Sequence, residues 1–212
     1  MKDGRGNQRK QLKMKEVRRR RKFLRLFLIF ILLFLELIVS KGTPESYNSA
    51  FLENQLEVYK EYNFIRKIAP MAKAKQNNYG LLSSITIAQA CLESDFGESS
   101  LASKYHNLFG VKSYLGENSV TLSTKEFQNG KWITINGTFK VYSSWEDSID
   151  AHTQLLVNGV DWDPVHYLNV LETNDYKVAA QDLQNDGYAT DPNYGKKLIG
   201  LINEYHLSEY DY

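Results

Sequence analysis

Glu93 is the side chain that the sequence best equips to act as an acid. It follows the apolar run Ala-Gln-Ala-Cys-Leu near the predicted end of a helix. A carboxyl group at the edge of an apolar helix loses hydration, which raises its pKa towards the range useful to an acid near neutral pH. On pattern alone Glu93 fits either an acid that protonates a glycosidic oxygen or an ordinary exposed helical glutamate.

Signatures of several other chemistries are missing from the sequence. It contains no Gly-x-Ser-x-Gly, His-Glu-x-x-His, Gly-x-Gly-x-x-Gly or Walker phosphate loop. Its four histidines lack metal-ligand spacing, and the pair Asp161 and Asp163 is more typical of a turn than of a metal site. Carboxylates and aromatic rings remain, and these are the groups that carbohydrate chemistry uses.

Helices are predicted on either side of this acid. One helix is expected from Phe64, with Pro70 in its first turn and Gly80 as its stop. Ser83 and Ser84 are expected to cap a second helix that ends at Gly97. Its apolar face recurs at spacings of three and four residues and comprises Ile85, Ala88, Leu92 and Phe96.

A β-hairpin is predicted after these helices. Residues 119–127 alternate in polarity, Asn129-Gly130 is a strong hairpin signal, and residues 131–135 follow as the partner strand. A second Asn-Gly pair at 136–137 leaves open a sheet of two or three strands. Helical patterns return at Trp145 and recur near 164–171, 174–185 and 194–206.

The charge distribution separates the N-terminus from the rest of the chain. Residues 1–22 carry eleven basic and two acidic side chains, whereas 41–212 carry 14 basic and 22 acidic ones. Between them, 23–39 are apolar apart from Arg25 and Glu36, which is close to the lower length limit for a spanning helix. The basic cluster just before this run predicts a cytoplasmic N-terminus and an exported remainder.

Other interpretations of the N-terminus stay open. A secretory signal cleaved near Ser40 would release the exported part, although the residues before Ser40 are not the small ones that cleavage prefers. The position of the basic run against an apolar helix argues against a nucleic-acid tail, so no nucleic-acid partner is expected. Cys91, the sole cysteine, excludes an intrachain disulfide and is expected to be a small buried residue.

Four ordered motifs resemble the N-acetylglucosaminidases of glycoside hydrolase family 73, the autolysin and flagellar-rod type. They are Phe-Ile-Arg-Lys-Ile-Ala-Pro at 64–70, the stretch 83–102 around Glu93, His-Asn-Leu-Phe-Gly-Val-Lys at 106–112, and Gly-Tyr-Ala-Thr-Asp-Pro-Asn-Tyr at 187–194. The similarity spans roughly 62–207 and implies an α+β, mainly α, lysozyme-like domain with a small antiparallel β-hairpin lobe.

The resemblance assigns three catalytic positions. Glu93 matches the general acid that protonates the leaving sugar oxygen. Glu126, before the hairpin turn, is the expected second carboxylate, with Glu117 as its rival, and the acetamido group of the substrate is an alternative nucleophile. Tyr188 matches a tyrosine that orients that acetamido group or water.

Substrate contacts are expected from aromatic rings, because sugars bury their C–H faces on flat π surfaces. The family-like segments supply five predicted substrate-binding residues, namely Asn107, Phe109, Tyr142, Trp145 and Tyr194. Asn107 fits either a sugar amide or the backbone as its partner. No metal or organic cofactor is implied.

The resulting organisation is a basic cytoplasmic tail (1–22), a transmembrane signal-anchor (23–39), a stalk or linker helix (40–61) and a glucosaminidase domain (62–212). The expected function is hydrolysis of the β-1,4 bond after N-acetylglucosamine in peptidoglycan glycan strands, in wall turnover outside a single-membrane cell. A lytic transglycosylase or muramidase is the alternative enzyme, and a non-catalytic wall-binding module is the alternative of another class.

Overall fold

A computed structural model describes residues 45–114, 117–128 and 131–212, without the side chains of 45–48, 50, 125–128 and 132. By its contacts the chain divides between Gln55 and Leu56, and the elements that concern function lie in the unit Leu56–Tyr212. The predicted tail and signal-anchor fall outside the described residues. No helix within the described part of the chain is both long and apolar enough to cross a membrane.

The described residues form seven α-helices, one two-stranded antiparallel sheet and a short 3₁₀ helix, so the mainly helical fold with a small hairpin lobe is confirmed. The helices are α1 (Glu45–Tyr79), α2 (Ser83–Ser94), α3 (Ser100–Tyr105), α4 (Trp145–Asn158), α5 (Leu168–Glu172), α6 (Tyr176–Asn185) and α7 (Tyr194–Glu204). The strands are β1 (Ser119–Gln128) and β2 (Lys131–Lys140), and the 3₁₀ helix is Leu207–Asp211.

Helix α1 continues through Pro70, so the expectation that Pro70 lies in a first turn is wrong. Proline lacks an N–H, so the carbonyl of Arg66 loses its hydrogen bond within the helix. A proline in a helix interior destabilises the helix by about 3 kcal/mol. Arg66 and Pro70 both lie on the exposed face, where water can reach that carbonyl. Ile65 and Ile68 on the opposite face are buried, and burying each side chain contributes about 2 kcal/mol. Packing of that face therefore keeps the helix continuous.

The backbone N–H groups at the N-terminus of α2 donate hydrogen bonds to side chains of other elements. Ser83 and Ser84 are predicted as caps, but the N-cap position is Leu82, whose side chain makes no cap bond. The side-chain oxygen of Gln76 accepts from the Ser83 amide at 2.9 Å, and a carboxylate oxygen of Asp211 accepts from the Ser84 amide at 2.8 Å. The expected serine caps are therefore replaced by Gln76 of α1 and Asp211 of the 3₁₀ helix.

Helix α2 is the centre of the core. Residues 83–91 are all buried, including the predicted face residues Ile85 and Ala88, whereas Leu92 is only half-buried. Cys91 is buried as expected, and burial raises the pKa of its thiol. A helix enclosed on all sides can present a functional group to solvent only at an end, and the end of α2 carries Glu93.

The two strands pair as predicted, with Ser119 opposite Lys140 and Gln128 opposite Lys131, and the predicted turn residues 129–130 lie outside the described residues. The second Asn-Gly pair is not a turn, because Gly137 lies within β2 opposite Leu122. A side chain at Gly137 would approach the Phe139 ring to 3.0 Å and the Lys112 ammonium to 2.7 Å. Gly137 thus provides space for Lys112 over Phe139 and does not reverse the chain.

Candidate active site

Glu93 stands on the last turn of α2, next to a sharp change in chain direction. Asp95 and Phe96 both have positive φ, 53° and 50°, and Gly97 follows at 80°. The hydroxyl of Ser94 donates to the Ala90 carbonyl at 2.5 Å and accepts from the Gly97 amide at 2.7 Å. These bonds close the helix end firmly, which leaves Glu93 exposed at the surface of the core.

A buried tyrosine connects Glu93 to the helix that carries it. The hydroxyl of Tyr194, on α7, accepts from Nε2 of Gln89 at 3.0 Å and donates to the Glu93 carboxylate. Gln89 and Glu93 are four residues apart and so share one face of α2. Gln89 is fully buried and Tyr194 is 2% exposed, so this chain of bonds runs from the core to the acid.

The pKa of Glu93 is raised above its usual value. Loss of solvent around the carboxyl group is the main cause, and the nearby Asp191 carboxylate adds to it. The Tyr194 hydrogen bond and the Lys197 ammonium act in the opposite direction. The Glu93 residue is nevertheless exposed to solvent. Glu93 thereby has the properties of an acid that a substrate can reach.

Aromatic rings continue from Tyr194 along one line. The ring of Tyr188 stacks on Tyr194, with centroids 5.6 Å apart, and meets His152 edge-on at 5.9 Å. His152 in turn stacks on Phe109 at 3.9 Å. Of the predicted residues, Tyr188, Tyr194 and Phe109 are therefore brought into one assembly beside Glu93, where Tyr188 and Glu93 interact electrostatically.

The segment just before α7 holds the position of Tyr194, the first ring of this aromatic assembly. The carbonyl of Asp191 accepts from the Tyr194 amide at 3.1 Å, and its carboxylate accepts from the Asn193 amide at 2.9 Å. The other carboxylate oxygen of Asp191 lies 2.5 Å from the Lys197 ammonium. These three contacts hold the start of α7 and with it the ring of Tyr194.

Tyr142 approaches the same group from the end of the hairpin. It is half-buried, its hydroxyl lacks a hydrogen-bond partner among the described residues, and it interacts electrostatically with Tyr188. Burial, with a smaller contribution from the Glu117 carboxylate, raises the pKa of Tyr142 to about 12. The hydroxyl therefore stays protonated, and its oxygen is itself buried.

The two candidate second carboxylates differ in their surroundings. Glu117 contacts the Lys140 ammonium at 2.8 Å and accepts from the Tyr114 amide at 3.1 Å; these bonds hold its pKa below the usual value. Glu117 therefore ties the base of the hairpin together. Glu126 lies on β1 with its backbone opposite Ile133, and its side chain is outside the described atoms. The assignment of Glu126 stays a prediction.

Asn107 and Trp145 both make contacts that stabilise the fold. The Asn107 amide donates to the carbonyls of Val111 at 3.0 Å and Lys140 at 2.8 Å, and its oxygen accepts from the Val111 amide at 3.0 Å. Trp145 donates to the Ala102 carbonyl at 3.0 Å and packs edge-on against Phe64. The backbone role that the sequence left open for Asn107 is thus the one the structure contains.

Sequence reasoning missed several side chains of this site. Gln89 stands one turn before Glu93, and that spacing alone could have identified it. His152 shows no metal-ligand spacing in the sequence, and its place between Phe109 and Tyr188 has no signal in local sequence. Within the described ranges, no three His, Cys, Asp or Glu residues are arranged to hold a metal ion.

Comparison with known proteins identifies the family. The family model described as mannosyl-glycoprotein endo-beta-N-acetylglucosaminidase matches residues 69–207. The exo-glucosaminidase LytG of Bacillus subtilis is 45% identical over 155 residues, which are 73% of this chain and 55% of that protein. A probable N-acetylmuramidase of Lactococcus lactis is 38% identical over 151 residues, 70% of this chain and 34% of the relative.

A solved structure agrees with these sequence matches. The catalytic domain of the autolysin Auto from Listeria monocytogenes superimposes with a TM-score of 0.64 at 36% identity, covering 80% of this chain and 90% of that one. The chain spans about a third to about half the length of the two curated relatives named above. The matched range includes Glu93, Tyr188 and Tyr194, and the chain therefore belongs to the glucosaminidase family, glycoside hydrolase family 73.

Proposed function

We propose that this chain hydrolyses peptidoglycan at the β-1,4 bond after N-acetylglucosamine and leaves a reducing N-acetylglucosamine end. The observation that carries the proposal is Glu93, an exposed carboxyl group with a raised pKa held from beneath by the buried Tyr194 hydroxyl. The names of relatives, among them an exo-glucosaminidase, an autolysin and a peptidoglycan hydrolase, support the same class of substrate.

In the first step, protonated Glu93 donates its proton to the glycosidic oxygen while the bond from that oxygen to the anomeric carbon breaks. The sugar carbon becomes oxocarbenium-like, and the Glu93 carboxylate is left behind. Water supplies the hydroxyl group of the new reducing end, and its proton is taken up by a base. Because the raised pKa keeps Glu93 protonated at higher pH, it extends the range in which the first step proceeds.

Two groups are suited to the second half of the reaction. Glu126 on β1 is the proposed base or stabilising carboxylate, and the substrate's acetamido group is the alternative. Tyr188 lies beside Glu93 and can orient either that group or the water.

The site of action follows from the N-terminus. We propose that residues 23–39 anchor the chain in the cytoplasmic membrane, with 1–22 inside the cell and the catalytic part outside, within reach of the inner wall. The basic cluster before the apolar run supports this orientation. The mass of the mature N-terminus in cell membranes tests it, because a start near Lys41 would identify cleavage and release.

The function is tested by mass spectrometry of the fragments that the purified full chain, kept in mild detergent, releases from peptidoglycan. Glu93→Gln is the test variant, and Glu98→Gln is the matched control. Glu98 is exposed and contacts Lys60 at 3.2 Å. We expect reducing N-acetylglucosamine ends from the unchanged chain and the control, and a loss of about 10²–10⁴-fold in rate for Glu93→Gln.

Other products would point elsewhere. Anhydromuramyl ends would identify a lytic transglycosylase, and reducing muramic ends would identify a muramidase, the activity named for the Lactococcus lactis relative. Binding without any released fragment would favour a wall-binding module. Single terminal sugars as opposed to longer fragments would distinguish exo from endo action.

A further inference from the structure

Asp191 and Lys197 form an ion pair at the beginning of α7. The side chain of Asp191 is only 15% exposed, and its two carboxylate oxygens have different partners. One accepts from the Asn193 amide at 2.9 Å, and the other lies 2.5 Å from the Lys197 ammonium. The Asp191 carbonyl accepts from the amide of Tyr194 at 3.1 Å. The pair therefore fixes the residue whose hydroxyl contacts Glu93.

Both charges of the pair act on Glu93. The Lys197 ammonium lowers the pKa of Glu93 and the Asp191 carboxylate raises it, so the two effects oppose one another. The other described titratable groups that interact with Glu93 are Tyr194 and Tyr188, which burial keeps neutral. Because the two charges of the ion pair have opposite signs, their effects on the pKa of Glu93 largely offset one another.

We propose that Asp191 and Lys197 are positioning residues for Glu93, which hold the Tyr194 hydroxyl beneath the acid and balance the charge next to it. Neither side chain touches the reacting bond. The inference rests on the proposed role of Glu93 as general acid. The proposal gives the segment 187–194 a function in addition to closing the turn before α7.

A purely structural ion pair makes a different prediction. Lys197 is about half exposed, and an ion pair with one partner so open to water contributes little to stability. Removing it would lower the melting temperature slightly and leave the pH dependence of the reaction unchanged. The pH profile therefore separates the two roles.

The test compares the pH dependence of kcat/KM on peptidoglycan for Asp191→Asn, Lys197→Met and the double variant, each in the full chain. Asparagine keeps the side-chain oxygen that accepts from the Asn193 amide, so the turn is preserved while the charge is lost. Lys197→Met should move the alkaline limb of the profile to higher pH, because the anion remains alone beside Glu93. Asp191→Asn should move it to lower pH, and the double variant should return towards the original profile.

Each single variant should lose less than about tenfold in kcat/KM at its own pH optimum, because the acid itself is still present. The proposal is overturned if the alkaline limbs stay in place while the melting temperatures fall. It is also overturned if the alkaline limbs of the two single variants move in the same direction. Failure of the proposed function would be distinct, since the unchanged chain would then release no reducing N-acetylglucosamine at any pH.

Discussion

His152 is an ionisable residue enclosed completely by the core. It is fully buried, stacks on Phe109, and neither ring nitrogen has a hydrogen-bond partner among the described residues. Desolvation lowers the pKa of His152 from 6.5 to about 3. The ring therefore acts as a neutral aromatic spacer between Phe109 and Tyr188. The geometry of the site thus depends on His152 staying unprotonated.

This burial predicts acid sensitivity. The unfolded chain binds a proton at His152 below about pH 6.5, whereas the folded chain does so only near pH 3, so stability is lost as the pH falls through that window. We expect this group to lower the free energy of unfolding by about 2 kcal/mol between pH 7 and pH 5. Urea unfolding at both pH values measures it. His152→Phe should remove that part of the pH dependence, and an unchanged dependence would contradict the assignment.

The two carboxylates of the hairpin lobe should differ in their effect on activity. Glu126→Gln is expected to lower kcat by about 10²–10⁴-fold, because a general base or stabilising carboxylate is lost. Glu117→Gln is the control, since Glu117 is already held by Lys140 and the Tyr114 amide. Rates of fragment release measure both. A Glu126→Gln chain with full activity would favour assistance by the acetamido group.

At the scale of elements, two glycines at chain reversals differ in the space around them. Gly80 ends α1 with φ of +83°, and a side chain there would lie 2.6 Å from the carbonyl oxygen of Leu171. Gly110 also has positive φ, +65°, but a side chain there would meet open space. The two positions thus separate the cost of the backbone conformation from the cost of a steric clash.

Gly110→Ala should cost about 1–2 kcal/mol of stability, the penalty of a left-handed conformation for an L residue. Gly80→Ala should cost more, because α1 and α5 cannot keep their approach when a methyl group meets the Leu171 backbone. Equilibrium denaturation measures both variants. Equal losses would mean that the neighbouring chain shifts freely and that the contact at Gly80 is unimportant.

Local patterns predicted some elements well and misjudged others. Polar alternation and Asn129-Gly130 predicted the hairpin, and Ile85 and Ala88 predicted an apolar face of α2, because these signals are local. The continuation of α1 through Pro70 depends on what its other face packs against, and local sequence does not contain that information. The same holds for Gly137, whose neighbours are Lys112 and Phe139.

The site was predictable to a similar degree. Glu93, Tyr188, Tyr194 and Phe109 were named from the sequence with its family resemblance, and the structure brings them together. The Gln89 bond to Tyr194 links positions 105 residues apart, which no local pattern reveals. The catalytic role of Glu93 is tested by Glu93→Gln, and the roles of Tyr188, Tyr194 and Phe109 stay predictions.

At the scale of the whole molecule, the C-terminal segment closes the N-terminal end of the central helix. Asp211 accepts from the Ser84 amide at 2.8 Å, and its carbonyl accepts from Nε2 of Gln76 at the same distance. Leu207, which begins the same 3₁₀ helix, is fully buried. Helix α2 is thus held by Asp211 at its start and carries the acid at its end.

Asp211→Ala should destabilise the chain by about 1 kcal/mol, the usual cost of losing an N-terminal helix cap. Asp211→Asn keeps an oxygen that can accept from the Ser84 amide and should cost less. Thermal unfolding measures the difference between the two. Equal destabilisation by both variants would mean that the negative charge, rather than the hydrogen bond, is what α2 requires.

The burial of Cys91 has a practical consequence for labelling experiments on this chain. It is the chain's single cysteine, and a buried thiol with a raised pKa reacts poorly with alkylating probes. A cysteine introduced at exposed Thr121 on the hairpin would therefore be labelled selectively without removing any native residue of the core. A spin label or fluorophore placed there would report whether the surroundings of the hairpin change when glycan is added to the otherwise unaltered protein.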